Sequence, residues 1–282
     1  MHLTVLGSGG CAVIPKPLCP CSVCEQARKQ GSPYARTGPA LFIHDENLLI
    51  DTPAEISYQL NRSGIRRIDH IAFTHLDPDH TEGFRVVEQI ALDFRSWEAY
   101  PEKQLRLVLP AELDDLLERI QTAYGPSITF YEKQGFVKRV PFRFNVEIGE
   151  MKSTAIPIDR DGLASFLYVF ERGGRKVVYA PCDIKPFPED REEVQGADLL
   201  VIQPGIFEDG LKHGFVYGED HVSRTTLYTF EESVALARRL RAKRTLFVHL
   251  EEYWNRSYDD YLALERRFTD IRFAYDGMEV EI

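Results

Sequence analysis

The sequence predicts a single α/β domain of packed layers spanning residues 1–282, and three observations predict it. Short apolar, β-branched runs alternate with helix-period segments toward both ends of the chain. A β-rich stretch runs from about residue 128 to residue 180, and no repeat, low-complexity tract or linker divides the 282 residues. With 44% apolar residues the chain has ample material for a sizeable core. The 34 basic and 44 acidic side chains leave a net charge of −10, which argues against nucleic acid or an anionic membrane as partner. No stretch approaches the roughly 18 consecutive apolar residues of a membrane span. MHLTVLGSGG also lacks the basic start and long apolar run of a signal peptide, so a cytoplasmic location is expected.

HLTVLG reads as the first strand. GSGGCA behind it matches a dinucleotide fingerprint, which would require a helix to begin there. Pro15, Pro17 and Pro20 follow at once, so the expectation is a loop without a nucleotide site. SVCEQARKQG reads as a short helix that stops at Gly31. PALFIHDENLLIDTP reads as two strands about a polar turn at Asp45 to Asn47, ending at Asp51. Helical periodicity follows in AEISYQLNRSG, a buried strand in IDHIAFTH, and helical periodicity again in TEGFRVVEQIALDF. LRLVLP is the next strand and AELDDLLERIQTAYG the next helix. ITFYE, FRFNVEIG, KSTAIPI, SFLYVFE and RKVVYA read as successive strands. Strand DLLVIQ, helix TFEESVALARRLRA, strand RTLFVHL, helix SYDDYLALERRF and strands RFAYD and EVEI complete the chain.

Three apolar strands run out into metal-binding side chains. THLDPDH places His75, Asp77, Asp79 and His80 within six residues; YAPCD ends at Asp183; LFVHLEE carries His249. Taken singly, Asp51 and Asp183 suit turn or helix-cap roles, and His249 suits a packed, partly buried ring. Four donors stiffened by a proline do not suit a merely solvated loop, so HLDPDH reads as a metal turn and lends weight to the other two. Of the five cysteines, Cys19, Cys21 and Cys24 share one short segment, while Cys11 and Cys182 stand apart. In a reducing compartment such spacing points to metal or redox chemistry. Three thiolates in six residues fit one tetrahedral Zn²⁺, which would clamp a proline-rich loop at about residues 11–31 onto the body.

GSGG, LIDTP, THLDPDHTEG, YAPCD and FVHLEE, in this order and spacing, resemble the metallo-β-lactamase superfamily over essentially the whole chain. The resemblance implies an αββα sandwich, two mixed β-sheets flanked by helices, with up to two divalent ions. Carried over residue by residue, Asp79, His80 and His249 hold one metal, Asp183 bridges, and His75 with Asp77 belongs to the other. Asp51 would orient the ligand loop. Two positions depart from the family pattern: Asp77 stands where a histidine is usual, and Arg160, in AIPIDRDG, stands where another is. Aspartate can ligate through oxygen and would favour a harder ion such as Mn²⁺; arginine has no lone pair to offer. Asp159 or Asp161 could substitute, and one or two ions, Zn²⁺ or Mn²⁺, stay open.

The cysteine group further resembles that of the phosphonate-pathway cyclic phosphodiesterases and of their relative in pyrroloquinoline quinone biosynthesis, where the cysteines hold a structural zinc. The fourth ligand implied here is Glu252, with His221 as the weaker alternative. Cys11 is expected to pack near the base of the loop, and Cys182 to be buried rather than reactive.

The function expected is a metal-dependent hydrolase, a phosphodiesterase that cleaves a small phosphate ester, cyclic ones included, through a metal-bound water. Asp79 would orient that water, and His221, better placed than His213, would supply the proton to the leaving oxygen. Arg160 would hold the substrate phosphate where an ion is missing. The alternative is a catalytically altered metal or ligand carrier, like the quinone-biosynthesis relative. A tRNA 3′-end endonuclease is disfavoured by charge and by the lack of a long inserted arm. The sequence leaves room for a homodimer.

Overall fold

The computed structural model describes residues 1–159 and 162–282, so Arg160 and Asp161 lie outside the described residues. Strand β1 (His2–Gly7) leads into a loop and helix α1 (Ser22–Gln30), which Gly31 ends at φ 68°. β2 (Ala40–Ile43) and β3 (Leu48–Ile50) flank the expected turn, where Asn47 takes φ 47°. α2 (Ile56–Ser63) and β4 (His70–Ala72) follow.

The single helix expected over TEGFRVVEQIALDF is broken into α3 (Pro78–Thr81), a tighter turn at Glu82–Arg85, and α4 (Val86–Ala91). The break lies at Gly83, whose N–H donates to Thr52 O at 2.8 Å and where any Cβ would collide with the Pro53 carbonyl. The bend keeps His80 directly under the end of β3.

β5 (Leu92–Asp93) and β6 (Glu98–Ala99) form a small hairpin before β7 (Leu105–Pro110). Helix α5 (Ala111–Leu117) ends earlier than its pattern suggested, because β8 (Gln121–Thr122) and β9 (Gly125–Pro126) turn back as a second hairpin. ITFYE, expected as a strand, is helical in α6 (Ser127–Lys133). Pro126 precedes it, and Ile128 and Tyr131, three apart, are both buried, so the face turned to the core overrides β-branched and aromatic propensity. β10 (Val137–Phe142) was not evident from the sequence; it is an edge strand, which accommodates Pro141.

β11 (Asn145–Ile148), β12 (Met151–Ile158), β13 (Ser165–Arg172) and β14 (Arg175–Ala180) form an antiparallel meander. β15 (Leu199–Ile202), α7 (Ser223–Thr226), α8 (Phe230–Arg239), β16 (Thr245–Phe247), α9 (Tyr258–Glu265), β17 (Ile271–Phe273) and β18 (Met278–Glu281) complete the chain. A capping box starts α8: Thr229 accepts from Glu232 N, and the Glu232 carboxylate accepts from Thr229 N.

These strands make two mixed sheets flanked by helices, ordered β10-β7-β4-β3-β2-β1-β18 and β11-β12-β13-β14-β15-β16-β17. Side-chain alternation divides the core into layers. From β13, Phe166, Tyr168 and Phe170 pack between the sheets with Phe42, Ile50 and Phe73, while Leu167 and Val169 pack outward with Phe230, Val234 and Tyr261 of α8 and α9. Each such side chain contributes about 1.5–3 kcal/mol by leaving water. Among the described residues no helix is long and apolar enough to cross a membrane.

Candidate metal centre

β3 runs parallel to β4 in one sheet, β14, β15 and β16 run parallel to one another in the other, and their carboxyl ends lead toward one region. Asp51 (φ 64°), Asp183 (φ 48°) and His249 (φ 58°) follow three of these ends in the left-handed region, which costs a non-glycine residue about 1–3 kcal/mol and clusters at functional sites. The metal turn is stitched to the opposite sheet: His75 pairs with Ser165, Phe166 N donates to Thr74 O at 2.8 Å, and Tyr168 Oη donates to Phe73 O at 2.9 Å.

Three imidazoles are aimed by their Nδ1 atoms. His80 Nδ1 lies 2.9 Å from Asp51 Oδ2; because a carboxylate only accepts, the proton is on Nδ1 and the lone pair on Nε2. Asp51 is held in turn by Thr74 N, which donates to Oδ1 at 2.8 Å. His249 Nδ1 lies 3.2 Å from Glu251 Oε1, which turns its Nε2 toward Asp79 Oδ2 at 3.4 Å. His75 Nδ1 meets Thr74 Oγ1 at 3.0 Å, and its Nε2 lies 3.3 Å from Asp77 Oδ2. The His75 and His80 rings are 4.0 Å apart, and those of His80 and His249 are 5.5 Å apart.

Ligand atoms of Asp79, His80 and His249 lie within 4.8 Å of one another, as do those of His75, His80 and Cys182. The Nε2 atoms of all three histidines are buried and make no hydrogen bond among the described residues. An unsatisfied buried polar atom costs about 1–3 kcal/mol, and three lone pairs converging beside a carboxylate and a thiol suit a divalent cation.

The electrostatics agree with a site shaped for positive charge. Burial pushes the Asp79 carboxyl up, but the His249 ring beside it and the nearby His80 and His75 rings outweigh it and hold Asp79 well below the usual carboxylate range. For His249, burial disfavours the cation, yet Cys182, Asp79 and Glu251 raise it well above the ordinary imidazole value. His75 is raised too: burial and His80 oppose its charge, and Asp77 with Cys182 prevail.

The structure thus brings Asp79, His80 and His249 together and sets Asp77 beside His75. Among the described residues, Asp183 belongs to none of the converging donor groups; the residue before it, Cys182, stands with His75 and His80. Cys182, expected to be buried rather than reactive, is half-buried and stands beside the imidazoles. Asp159 lines a groove of about 670 Å³ that also includes Arg143 and Arg191. The roles expected of Arg160 and Asp161 lie outside the described residues. His221 precedes α7, edge-on to Tyr217 at 4.8 Å, with Ser223 N donating to its Nδ1 at 3.1 Å.

Cys19, Cys21, Cys24 and Glu252 form the other converging group, their ligand atoms again within 4.8 Å. Glu252, and not His221, is therefore the carboxylate or imidazole nearest these thiols. The Cys21 thiol caps α1 by accepting from Cys24 N at 3.4 Å, which sets the two thiols on one helical turn. Lys212 Nζ donates to Cys19 Sγ at 3.0 Å and pairs with Glu252, so a cationic group already occupies the neighbourhood of these acids. The Lys212 hydrogen bond lowers the Cys19 thiol, whereas burial and Glu252 raise Cys24. The donor set fits a thiophilic ion such as Zn²⁺.

Sequence reasoning missed Glu251, Lys212 and Gln203, whose Nε2 lies 3.4 Å from His249 Nδ1. Glu251 is buried and accepts from Cys11 N at 3.2 Å and Ala12 N at 3.0 Å, so one carboxylate joins the start of the cysteine loop to His249. Cys11, expected at the loop's base, is exposed and adjoins that carboxylate; burial of its sulfur, Glu251 and Asp79 push its thiol up to about 12. Gly10 is required at this junction, since a Cβ there would strike Glu251 and the His249 ring. The first acid of HLEE, directly before Glu252, was the available signal.

Two facing mixed sheets, helices outside them and metal-capable donors at their strand ends define an αββα sandwich of the metallo-β-lactamase type. The chain belongs to the beta-lactamase superfamily domain family, whose model matches residues 46–250. It is 23% identical to coenzyme PQQ synthesis protein B of Methylorubrum extorquens over the full length of both chains. It is also 23% identical to ribonuclease Z of Archaeoglobus fulgidus, over 88% of this chain and 92% of the other. The solved structure of a new diphosphatase from the PhnP family matches with a TM-score of 0.74 at 22% identity, covering 99% of this chain and 96% of that one. At that identity the structural likeness shows the fold.

Proposed function

We propose that the protein is a metal-dependent hydrolase, a phosphodiesterase acting on a small phosphate ester. The observation that carries this reading is the convergence of Asp79, His80 and His249 within 4.8 Å, with buried Nε2 atoms lacking any hydrogen bond among the described residues. A divalent ion held there, Zn²⁺ or Mn²⁺, would supply activation of water at neutral pH and neutralise charge on the phosphoryl oxygens. The chain supplies the rest. Asp51 and Glu251 fix the tautomers of His80 and His249. Asp79, held ionised, orients the attacking water through its carboxylate. His221 is the group assigned to protonate the leaving oxygen, through Nε2, since Ser223 N donates to its Nδ1 at 3.1 Å. Arg160 holds the substrate phosphate, and Cys19, Cys21, Cys24 and Glu252 hold a structural Zn²⁺. Similarity to a ribonuclease and a diphosphatase supports phosphorus chemistry.

The test is hydrolysis of bis(p-nitrophenyl) phosphate by protein loaded with Zn²⁺ or Mn²⁺. Turnover that Asp79→Asn reduces by a factor on the order of 100 or more supports the reading. A second reading is a non-hydrolytic metal or ligand carrier. It is favoured by the departure at Asp77 and by the full-length similarity to coenzyme PQQ synthesis protein B. No turnover with any divalent ion, together with metal at the cysteines alone, would select it.

A further inference from the structure

The thiol of Cys182 has no part in the reading above, although it lies at the centre of the site. A ligand atom from each of His75, His80 and Cys182 falls within 4.8 Å of the others. The two imidazoles are 98% and 100% buried, and their Nε2 atoms make no hydrogen bond among the described residues. Cys182 sits two residues beyond the end of β14 and one before Asp183, which takes φ 48°. Two buried nitrogen lone pairs and a sulfur facing one point form a mixed imidazole and thiol donor set, which takes soft or borderline ions.

We propose that Cys182 supplies a thiolate ligand to an active-site ion on the His75 and His80 side, making this position selective for a thiophilic divalent ion such as Zn²⁺ over Mn²⁺. Binding exchanges the thiol proton, released to solvent, for a sulfur–metal bond. His80 offers a single Nε2 to the two donor groups, so an ion on the Cys182 side and an ion on the Asp79 side compete for it. The proposal rests on the metal-dependent reading, but its test can fail separately.

The experiment loads the full chain with cadmium and compares NMR spectra of the wild type and Cys182→Ser. One signal belongs to the cysteine cluster and is unchanged by the substitution. The proposal expects a second signal, in the range of sulfur-ligated cadmium, that moves to the nitrogen and oxygen range in Cys182→Ser. Zn²⁺ affinity at that position should fall roughly 10–100-fold, at least the loss that follows removal of an outer-shell partner. Mn²⁺ affinity should change far less. A second signal already in the nitrogen and oxygen range in the wild type overturns the role of Cys182 and leaves the hydrolase reading intact; this holds even if the variant does not fold. Absence of any second ion overturns both.

Discussion

His80 Nδ1 lies 2.9 Å from Asp51 Oδ2, and both side chains are completely buried. The contact joins the end of β3 to the metal turn after β4 and leaves His80 with one usable lone pair, aimed at Asp79 and Cys182. Asp51→Asn keeps the size but can present its amide to Nδ1, which favours the opposite tautomer. Active-site metal affinity should fall by about 10–100-fold, with the cysteine-bound ion unaffected. Titration of metal-free protein with Zn²⁺ checks this; unchanged affinity would show that Asp51 does not set the ring.

The cysteine cluster is expected to stabilise the fold through its ion. Cys24→Ser should remove one metal per chain, and loss of an ion present at a hundredfold excess over Kd costs about 2.7 kcal/mol, or roughly 5–10 °C in Tm for a chain of this size. Glu251 receives the backbone N–H groups of Cys11 and Ala12 while holding His249. Loosening the loop should therefore also weaken metal binding at His249. Metal analysis with thermal melts measures both effects; a variant that keeps its full metal content and wild-type Tm would contradict the first.

Asp276 is a structural anchor under the glycine-rich loop. Its carboxylate accepts from Ser8 N and Oγ, both at 2.8 Å, from Thr37 N at 2.8 Å and Oγ1 at 2.6 Å, and from Arg62 Nη2 at 2.6 Å. Asp276→Asn halves its capacity to accept and leaves Arg62 without its counter-charge. A loss of about 3–5 kcal/mol is expected, as for other broken buried pairs. Urea unfolding reads it directly, and a midpoint equal to wild type would refute the anchor role.

Acid stability should depend in part on Arg139, which reaches from edge strand β10 to Asp114 at 2.6 Å and Glu118 at 2.5 Å. The hydrogen bonds from Arg139 and Thr129 hold the Glu118 carboxyl below its ordinary value against a small burial effect. A depressed carboxylate contributes stability that is present above its unfolded pKa of about 4.3 and lost as pH falls through the lower folded value. Arg139→Gln should thus flatten the fall of Tm with pH below that point. Parallel curves for variant and wild type would show no such linkage.

The sandwich and much of its site were legible because the informative signals are local. HLDPDH compresses four donors into one turn, and each apolar run before a donor is a parallel strand whose end delivers it. What escaped depends on tertiary geometry. ITFYE has the composition of a strand, yet the spacing of Ile128 and Tyr131 toward the core makes it helical. Cys182, one residue before the expected Asp183, stands with His75 and His80, and nothing local in YAPCD marks it. Glu251 owes its role to a loop that lies about 240 positions away in sequence yet within hydrogen-bond reach.

The most direct test of the central claim is turnover of bis(p-nitrophenyl) phosphate while Zn²⁺ or Mn²⁺ is titrated into metal-free protein. The account predicts that activity appears as the Asp79, His80 and His249 site fills, and that His249→Ala abolishes it while leaving the cysteine-bound ion in place. Full occupancy of that site without turnover by either ion would contradict it.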